Sequence, residues 1–347
     1  MGQVNHRCAV LGNPIAHSLS PVLHAAAYAA LGLDNWRYTR QEVAQDGLVR
    51  FLEGLDSSWV GLSLTMPLKK AIQPYGAACD FWSRCLHVSN TAVLDWAKEG
   101  GCRSRPFIRL YNTDVDGISL AFDHAWTKAS VRSSSVAHAA DNVAFIPDCR
   151  DEGASAVLLG NGNTALSALA ALTRLVVPGK GPVKEVFVCA RDTGSDGEFR
   201  MLLERLDVPV TLVSVPLSGA ERYLHRADVA VSALPPHVAD GLAGRLACMK
   251  PFPTSMFPTL LDVAYASRPS ALVHAWTRLG GIGIGGEEML LYQAIRQVGL
   301  MTEGYLPATN ASDSFGSLVS DEDAGRGGML ERHMREALQT RMRVTNE

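Results

Sequence analysis

Residues 156–175 run from an apolar strand through a glycine turn and straight into a helix, with no spacer between them. Ala156 to Leu159 reads as the strand, Gly160-Asn161-Gly162-Asn163-Thr164-Ala165 as the turn and Leu166 to Leu175 as the helix. In that setting each fixed position of Gly160-x-Gly162-x-x-Ala165 has a physical purpose. Gly160 allows the tight turn, Gly162 lets a pyrophosphate approach the backbone, and Ala165 lets the helix pack closely on the strand. The helix N-terminus adds free N–H groups and the positive end of its dipole. Gly160, Gly162, Asn163 and Ala165 are therefore candidate dinucleotide contacts; a bare structural turn is the competing reading.

The rest of the chain repeats the same wiring. Arg7 to Leu11, Trp36 to Val43, Trp59 to Leu64 and Thr91 to Leu94 read as strands separated by helical patterns. Val183 to Ala190, Val210 to Val215, Asp228 to Leu234, Leu260 to Tyr265 and Gly281 to Gly285 follow in the second half. This alternation predicts an α/β chain with largely parallel sheets. At 347 residues there is length for two cores. The expected division is an N-terminal α/β substrate-binding domain over 1–115, completed by helices from 287–347 that return to it, and a Rossmann-type domain over 116–286. Asp116 to Ala129 reads as a helix, 97–108 as a surface loop and about 130–153 as an inserted loop. Residues 311–328, rich in Ser, Asp and Gly, read as flexible. Met329 to Met342 reads as an amphipathic helix with Leu330, Met334 and Leu338 four apart.

Composition narrows the function classes. A net charge of −3 without a basic stripe argues against a nucleic-acid surface. No apolar run is long enough to span a membrane, and the start, Met-Gly-Gln-Val-Asn-His, has no secretory character. Seven scattered cysteines without a C-x-x-C suit reduced thiols in a cytoplasm rather than a disulfide framework or a metal site. The expectation is a cytoplasmic monomer or homodimer acting on a small molecule, with no nucleic-acid, membrane or metal partner.

The strand predicted over 183–190 ends at Ala190, where an NAD site usually carries a carboxylate for the ribose hydroxyl. Arg191 follows and can pair with a 2′-phosphate, which favours NADP over NAD. Asp192 leaves the opposite preference open by one residue of register, and a solvated Arg191 is the bland alternative.

Candidate chemistry lies at other strand ends. In Gly61-Leu-Ser-Leu-Thr65-Met-Pro67-Leu-Lys69 a strand stops on a hydroxyl, a proline breaks it, and a lysine follows two residues later. Asn90-Thr91 and Asn112-Thr113-Asp114 supply an amide and a carboxylate. Lys69 near Asp114 would keep its charge and deliver a proton to a developing alkoxide. Lys70 and Asp116 are neighbours to which those roles could slip, and Asp114 could equally be a helix cap. Ser18 and Ser20 stand beside a helix start, with Ser20 as N-cap and Pro21 at the first helical position. Two neutral donors at a positive dipole end form a carboxylate trap, or simply a cap. His17 and His24, without metal-spaced partners, read as structural. Gly285-Gly286 closes a strand, and Met289 and Gln293 share a face of the helix predicted over 287–297, placed to pack a flat ring and bond a hydroxyl.

Together these segments resemble the shikimate dehydrogenase family, including its quinate/shikimate relatives, from about residue 8 to residue 340. The resemblance rests on Gly12-x-Pro14-x-x-His17-Ser18-x-Ser20-Pro21-x-x-His24, Thr65-Met66-Pro67-x-Lys69, Asn90-Thr91 and Asn112-Thr113-Asp114. It continues in Gly160-x-Gly162-x-x-Ala165, Asp262-x-x-Tyr265 and Gly286-x-x-Met289-Leu290-x-x-Gln293-Ala294. It implies that Ser18 and Ser20 hold a substrate carboxylate, that Thr65, Asn90, Asp114 and Gln293 hold hydroxyls, and that Lys69 and Asp114 are catalytic. It adds Tyr265 to the substrate set and Gly286 and Met289 to the cofactor set. The implied activity is NADPH-dependent reduction of 3-dehydroshikimate, with quinate or dual quinate/shikimate oxidation as the alternative. A catalytically silent dinucleotide sensor is the alternative of another class. The chain departs from the family at Ser63, where an asparagine is usual, at Val88-Ser89, and at Val115, where a glycine often follows the aspartate.

Overall fold

The computed structural model describes residues 4–97, 105–137, 153–253, 257–265, 268–305 and 326–344. These form two α/β units, Met1–Thr113 with Leu290–Glu347, and Asp114–Met289.

In the first unit the strands are β1 (His6–Gly12), β2 (Trp36–Glu42), β3 (Trp59–Leu64), β4 (Ala77–Ala78), β5 (Thr91–Asp95) and β6 (Phe107–Tyr111), lying side by side as β2-β1-β3-β5-β6-β4. Helices α1 (Ser20–Ala30), α2 (Leu48–Glu53), α3 (Leu68–Ala71) and α4 (Phe81–Leu86) fill the connections. Leu11, Leu62, Leu64, Leu68, Ile72 and Leu110 build one buried cluster, and Val10, Tyr28, Trp36, Tyr38, Val60 and Met301 another. Burial of such side chains, about 1.5–3 kcal/mol each, is the main stabilising term of the unit. The sheet is mixed: β5 is antiparallel to both β3 and β6. That reversal brings the start of β5 level with the ends of its neighbours, with Ser63 opposite Thr91 and Thr91 opposite Tyr111.

The 97–108 loop ends before Phe107, which pairs with Asp95 and opens β6. Gly and Arg dominate the approach, yet Phe107 to Tyr111 alternates in burial as a strand should. Lys69 sits in the one-turn helix α3. Finally, α1 starts at Ser20 with Leu19 as N-cap, because the Ser18 hydroxyl takes the Ser20 N–H at 3.3 Å and does the capping work from one position earlier.

The second unit opens with α5 (Asp114–Ala137) and continues with β7 (Ala154–Leu159), α6 (Asn163–Leu172), β8 (Val176–Val177), β9 (Gly181–Ala190), α7 (Gly197–Leu206), β10 (Thr211–Pro216) and α8 (Glu221–Leu224). It closes with β11 (Val229–Ser232), α9 (Asp240–Ala247), β12 (Thr259–Asp262), α10 (Ala271–Arg278) and β13 (Ile282–Gly285). The order β10-β9-β7-β11-β12-β13 is parallel throughout, and β8 adds a short antiparallel hairpin to β9. Counting the parallel strands by appearance gives 3-2-1-4-5-6, the doubly wound dinucleotide-binding order, whose direction reverses between β7 and β11.

The expected loop from residue 130 is a helix as far as Ala137. Serines are tolerated there because a hydroxyl can bond one turn back, as Ser130 does to the Trp126 carbonyl at 3.0 Å, and Trp126 anchors the helix on Thr259. Residues 138–152 and the 311–325 part of the C-terminal expectation lie outside the described residues. Strand β12 stops at Asp262, whose carboxylate accepts the Ala264 N–H in a turn, so Tyr265 follows the strand rather than ending it. Helix α11 (Gly286–Thr302) carries the chain back to the first unit, and α12 (Arg326–Val344) packs on α1. Leu330, Met334 and Leu338 are all buried, as their spacing predicts.

Candidate active site

The first unit gathers a polar edge from separate elements. Ser18 and Ser20 are buried, their hydroxyls 3.3 Å apart, and Arg40 grips the Ser18 carbonyl with Nε and Nη2 at 2.8 and 2.6 Å. Thr65 follows β3, its N–H held by the Leu11 carbonyl at 2.9 Å. Lys69 is only 8% exposed, and its backbone carbonyl is taken by the Ser89 N–H at 3.0 Å and Gln73 Nε2 at 3.3 Å. Those bonds fix where the lysine stem starts. His17 is exposed, while His24 is fully buried and its imidazole is pushed down to about 3 by loss of water. A neutral, packed histidine agrees with its structural reading.

Asn90 is the hub of this edge. Its Oδ1 accepts the Thr113 N–H at 2.8 Å and the Thr91 hydroxyl at 3.0 Å. Its Nδ2 donates to Thr113 Oγ1 at 2.9 Å and to Gln293 Oε1 at 3.4 Å. The residues before Asp114 are pinned as well: the Asn112 N–H meets the Asp80 carboxylate, and Asn112 Nδ2 donates to the Val88 carbonyl at 2.9 Å. Asp114 itself is buried and is the first residue of α5, where the helix dipole favours a carboxylate.

Sequence reading passed over a buried layer in this unit. Tyr38 donates to Ser63 Oγ at 2.6 Å, Ser63 to Gln297 Oε1 at 2.7 Å, and Gln297 Nε2 to Thr91 Oγ1 at 3.0 Å. One signal was available: Gln297 lies four residues after Gln293 and so shares its helix face.

In the second unit, Gly160 has φ of +99°, which only glycine adopts without strain. Gly162 is the N-cap of α6, and a Cβ built there would meet nothing within 4 Å, leaving the backbone open to a ligand. The helix starts at Asn163, three residues before the expected Leu166, so Asn163 lies in its first turn with small neighbours Thr164 and Ala165; Ala165 is fully buried. These features fit a pyrophosphate cradle at the strand-order reversal. Arg191 is exposed just beyond β9. Asp192 is occupied with its own turn: its carboxylate accepts the Gly194 N–H at 3.0 Å and the Ser195 hydroxyl, which hold it below the usual carboxylate range. Asp192 is thus committed within its own turn, while Arg191 stands exposed beside it. Gly286 lies against the Val263 carbonyl, Met289 is buried, and Tyr265 is half-buried in the loop after β12.

Residues 10–91 match the family model described as the shikimate dehydrogenase substrate binding domain. The chain is 28% identical to the shikimate dehydrogenase (NADP(+)) of Synechococcus sp. (strain JA-3-3Ab) over 306 residues, covering 86% of this chain and 88% of that one. Among solved structures, Mycobacterium tuberculosis shikimate dehydrogenase superposes with a TM-score of 0.66 at 29% identity, covering 96% of this chain and 99% of that one. The Mycobacterium fortuitum shikimate 5-dehydrogenase gives 0.64 at 29% identity, with 97% and 99% covered. A doubly wound 3-2-1-4-5-6 unit, a polar edge in the unit that carries the family match, and these likenesses along most of its length make the chain similar to shikimate dehydrogenases.

Proposed function

We propose that this chain is an NADP-dependent shikimate dehydrogenase, catalysing 3-dehydroshikimate + NADPH + H⁺ ⇌ shikimate + NADP⁺. The observation that carries the reading is a set of five polar side chains, Ser18, Ser20, Lys69, Asn90 and Gln293, each less than a tenth exposed, in the unit that matches a substrate-binding domain. Hydroxyl, amide and ammonium groups gathered in one buried edge suit a small ligand rich in oxygen.

In this reading the first unit binds the substrate and the second the dinucleotide. Ser18 and Ser20 donate to the substrate carboxylate at the N-terminus of α1, while Thr65, Asn90, Gln293 and Tyr265 hold the ring hydroxyls. Gly160, Gly162, Asn163, Ala165, Arg191, Gly286 and Met289 hold NADP(H), which when bound supplies or accepts the hydride. Lys69 donates a hydrogen bond to the reacting oxygen and delivers its proton, and Asp114 keeps the ammonium charged and aimed. Burial of Lys69 strengthens that bond, because little water competes for the ammonium.

The test is a panel of shikimate and quinate, each with NADP⁺ and NAD⁺, followed by absorbance of the reduced nicotinamide. Shikimate with NADP⁺ is expected to give the highest kcat/KM. A preference for quinate would move the chain to the quinate branch of the family. NADPH binding with no turnover of either acid would make it a silent sensor and end the reading.

A further inference from the structure

Every donor in the buried layer below Asn90 points one way, and backbone groups set that direction at both ends. The Thr113 N–H can only donate, so the atom of Asn90 facing it at 2.8 Å is the carbonyl oxygen. The Asn90 backbone carbonyl can only accept, so the atom of Gln297 facing it at 3.3 Å is Nε2. It follows that Gln297 Oε1 faces Ser63, that Ser63 donates to it at 2.7 Å, and that Ser63 accepts from Tyr38 at 2.6 Å. His24 Nε2, 3.4 Å from the same Oε1, is then the protonated ring nitrogen. On the other side Gln297 Nε2 donates to Thr91 at 3.0 Å, which commits the Thr91 hydroxyl to donate to Asn90 Oδ1, also at 3.0 Å.

We propose that Gln297 is a positioning residue for substrate recognition. It fixes the proton on Thr91, and Thr91 locks the Asn90 amide with its NH₂ on the side of Gln293. The inference rests on the reading that Asn90 holds a substrate hydroxyl. Gln297 is 1% exposed, and its amide is spent on Ser63, Thr91 and the Asn90 carbonyl, so it acts through Asn90 rather than by contact. The bond from Asn90 Nδ2 to Gln293 Oε1, at 3.4 Å, is longer than the bonds Asn90 makes with Thr91 and Thr113. It is the one a substrate hydroxyl replaces at least cost. Ser63 serves the same end: its proton goes to Gln297 and one lone pair to Tyr38, which makes it part of the support for the pocket.

The test is a double-mutant cycle on the full chain. Gln297→Leu and Thr91→Val, each assayed for shikimate oxidation with NADP⁺, are expected to raise the KM for shikimate about tenfold, the worth of one well-placed hydrogen bond. The KM for NADP⁺ should stay within about twofold. In an Asn90→Ala background neither change should raise the shikimate KM further, a pattern that general loosening of the fold would not produce. Thr91→Val preserves shape and carries the test if Gln297→Leu does not fold. Unchanged shikimate KM in Thr91→Val, or effects that multiply with Asn90→Ala, overturn the proposal while the proposed activity stands. A wild-type chain that does not oxidise shikimate overturns both.

Discussion

The imidazole of His24 lies flat on the phenol ring of Tyr38, with ring centroids 3.8 Å apart and planes 17° from parallel. Both rings are buried, and burial holds the imidazole neutral by lowering it to about 3. In the unfolded chain it would titrate near ~6.5. Above that value neither state is protonated and the group contributes no pH dependence. As the pH falls from ~6.5 toward 3, only the unfolded chain takes up the proton, so stability is lost at up to about 1.4 kcal/mol per pH unit. Between pH 7 and pH 5 this one group should cost about 2 kcal/mol. Urea unfolding of the wild type and His24→Phe, which keeps a ring over Tyr38, should show that share of the slope only in the wild type. Parallel pH profiles would contradict it.

Lys69→Ala should lower kcat by about 10³-fold, within the range for loss of a general acid and its charge. The dissociation constant for NADPH, read by nicotinamide fluorescence, should change less than about threefold, since the bond to the reacting oxygen strengthens in the transition state. Near-normal turnover in this variant would remove Lys69 from the chemistry.

Arg191→Ala should raise the KM for NADPH by about 10- to 100-fold and leave that for NADH almost unchanged, as expected when a charge-assisted pair to the 2′-phosphate is removed. The carboxylate of Asp192, taken by Gly194 and Ser195, offers no compensating contact. An unaltered NADPH/NADH preference would show that another group reads the ribose.

Gly286→Ala tests the close approach at the start of α11. A Cβ there would stand 2.3 Å from the Val263 carbonyl oxygen and 2.9 Å from that of Asp262, and backbone cannot swing aside as a side chain can. We expect a loss of about 1–3 kcal/mol, measured by chemical denaturation. A variant as stable as the wild type would mean that the loop after β12 yields freely.

Local chemistry accounts for what was legible in advance. The strand Trp59–Leu64 was readable to the residue, because an apolar run that ends at Thr65-Met-Pro67 carries its own stop signal. The turn at Gly160 was readable because only glycine accepts its positive φ. Phe107 was hidden by its Gly- and Arg-rich approach, which pointed away from its pairing with Asp95, and the last turns of α5 were hidden by their serines.

By itself the chain's order of residues determined two α/β units, a glycine turn before α6, and which polar side chains stand at strand ends. Those are properties of neighbours within a few positions, where periodicity, turn residues and helix starts act directly. Only the tertiary structure decided that Ser63, Thr91 and Tyr111 lie abreast, because the reversal of β5 is a choice of strand pairing that no local pattern encodes. It also decided which way the Asn90 and Gln297 amides face and that Asp192 spends its charge on its own turn. Hydrogen-bond direction belongs to groups far apart in the chain and exists only once they meet.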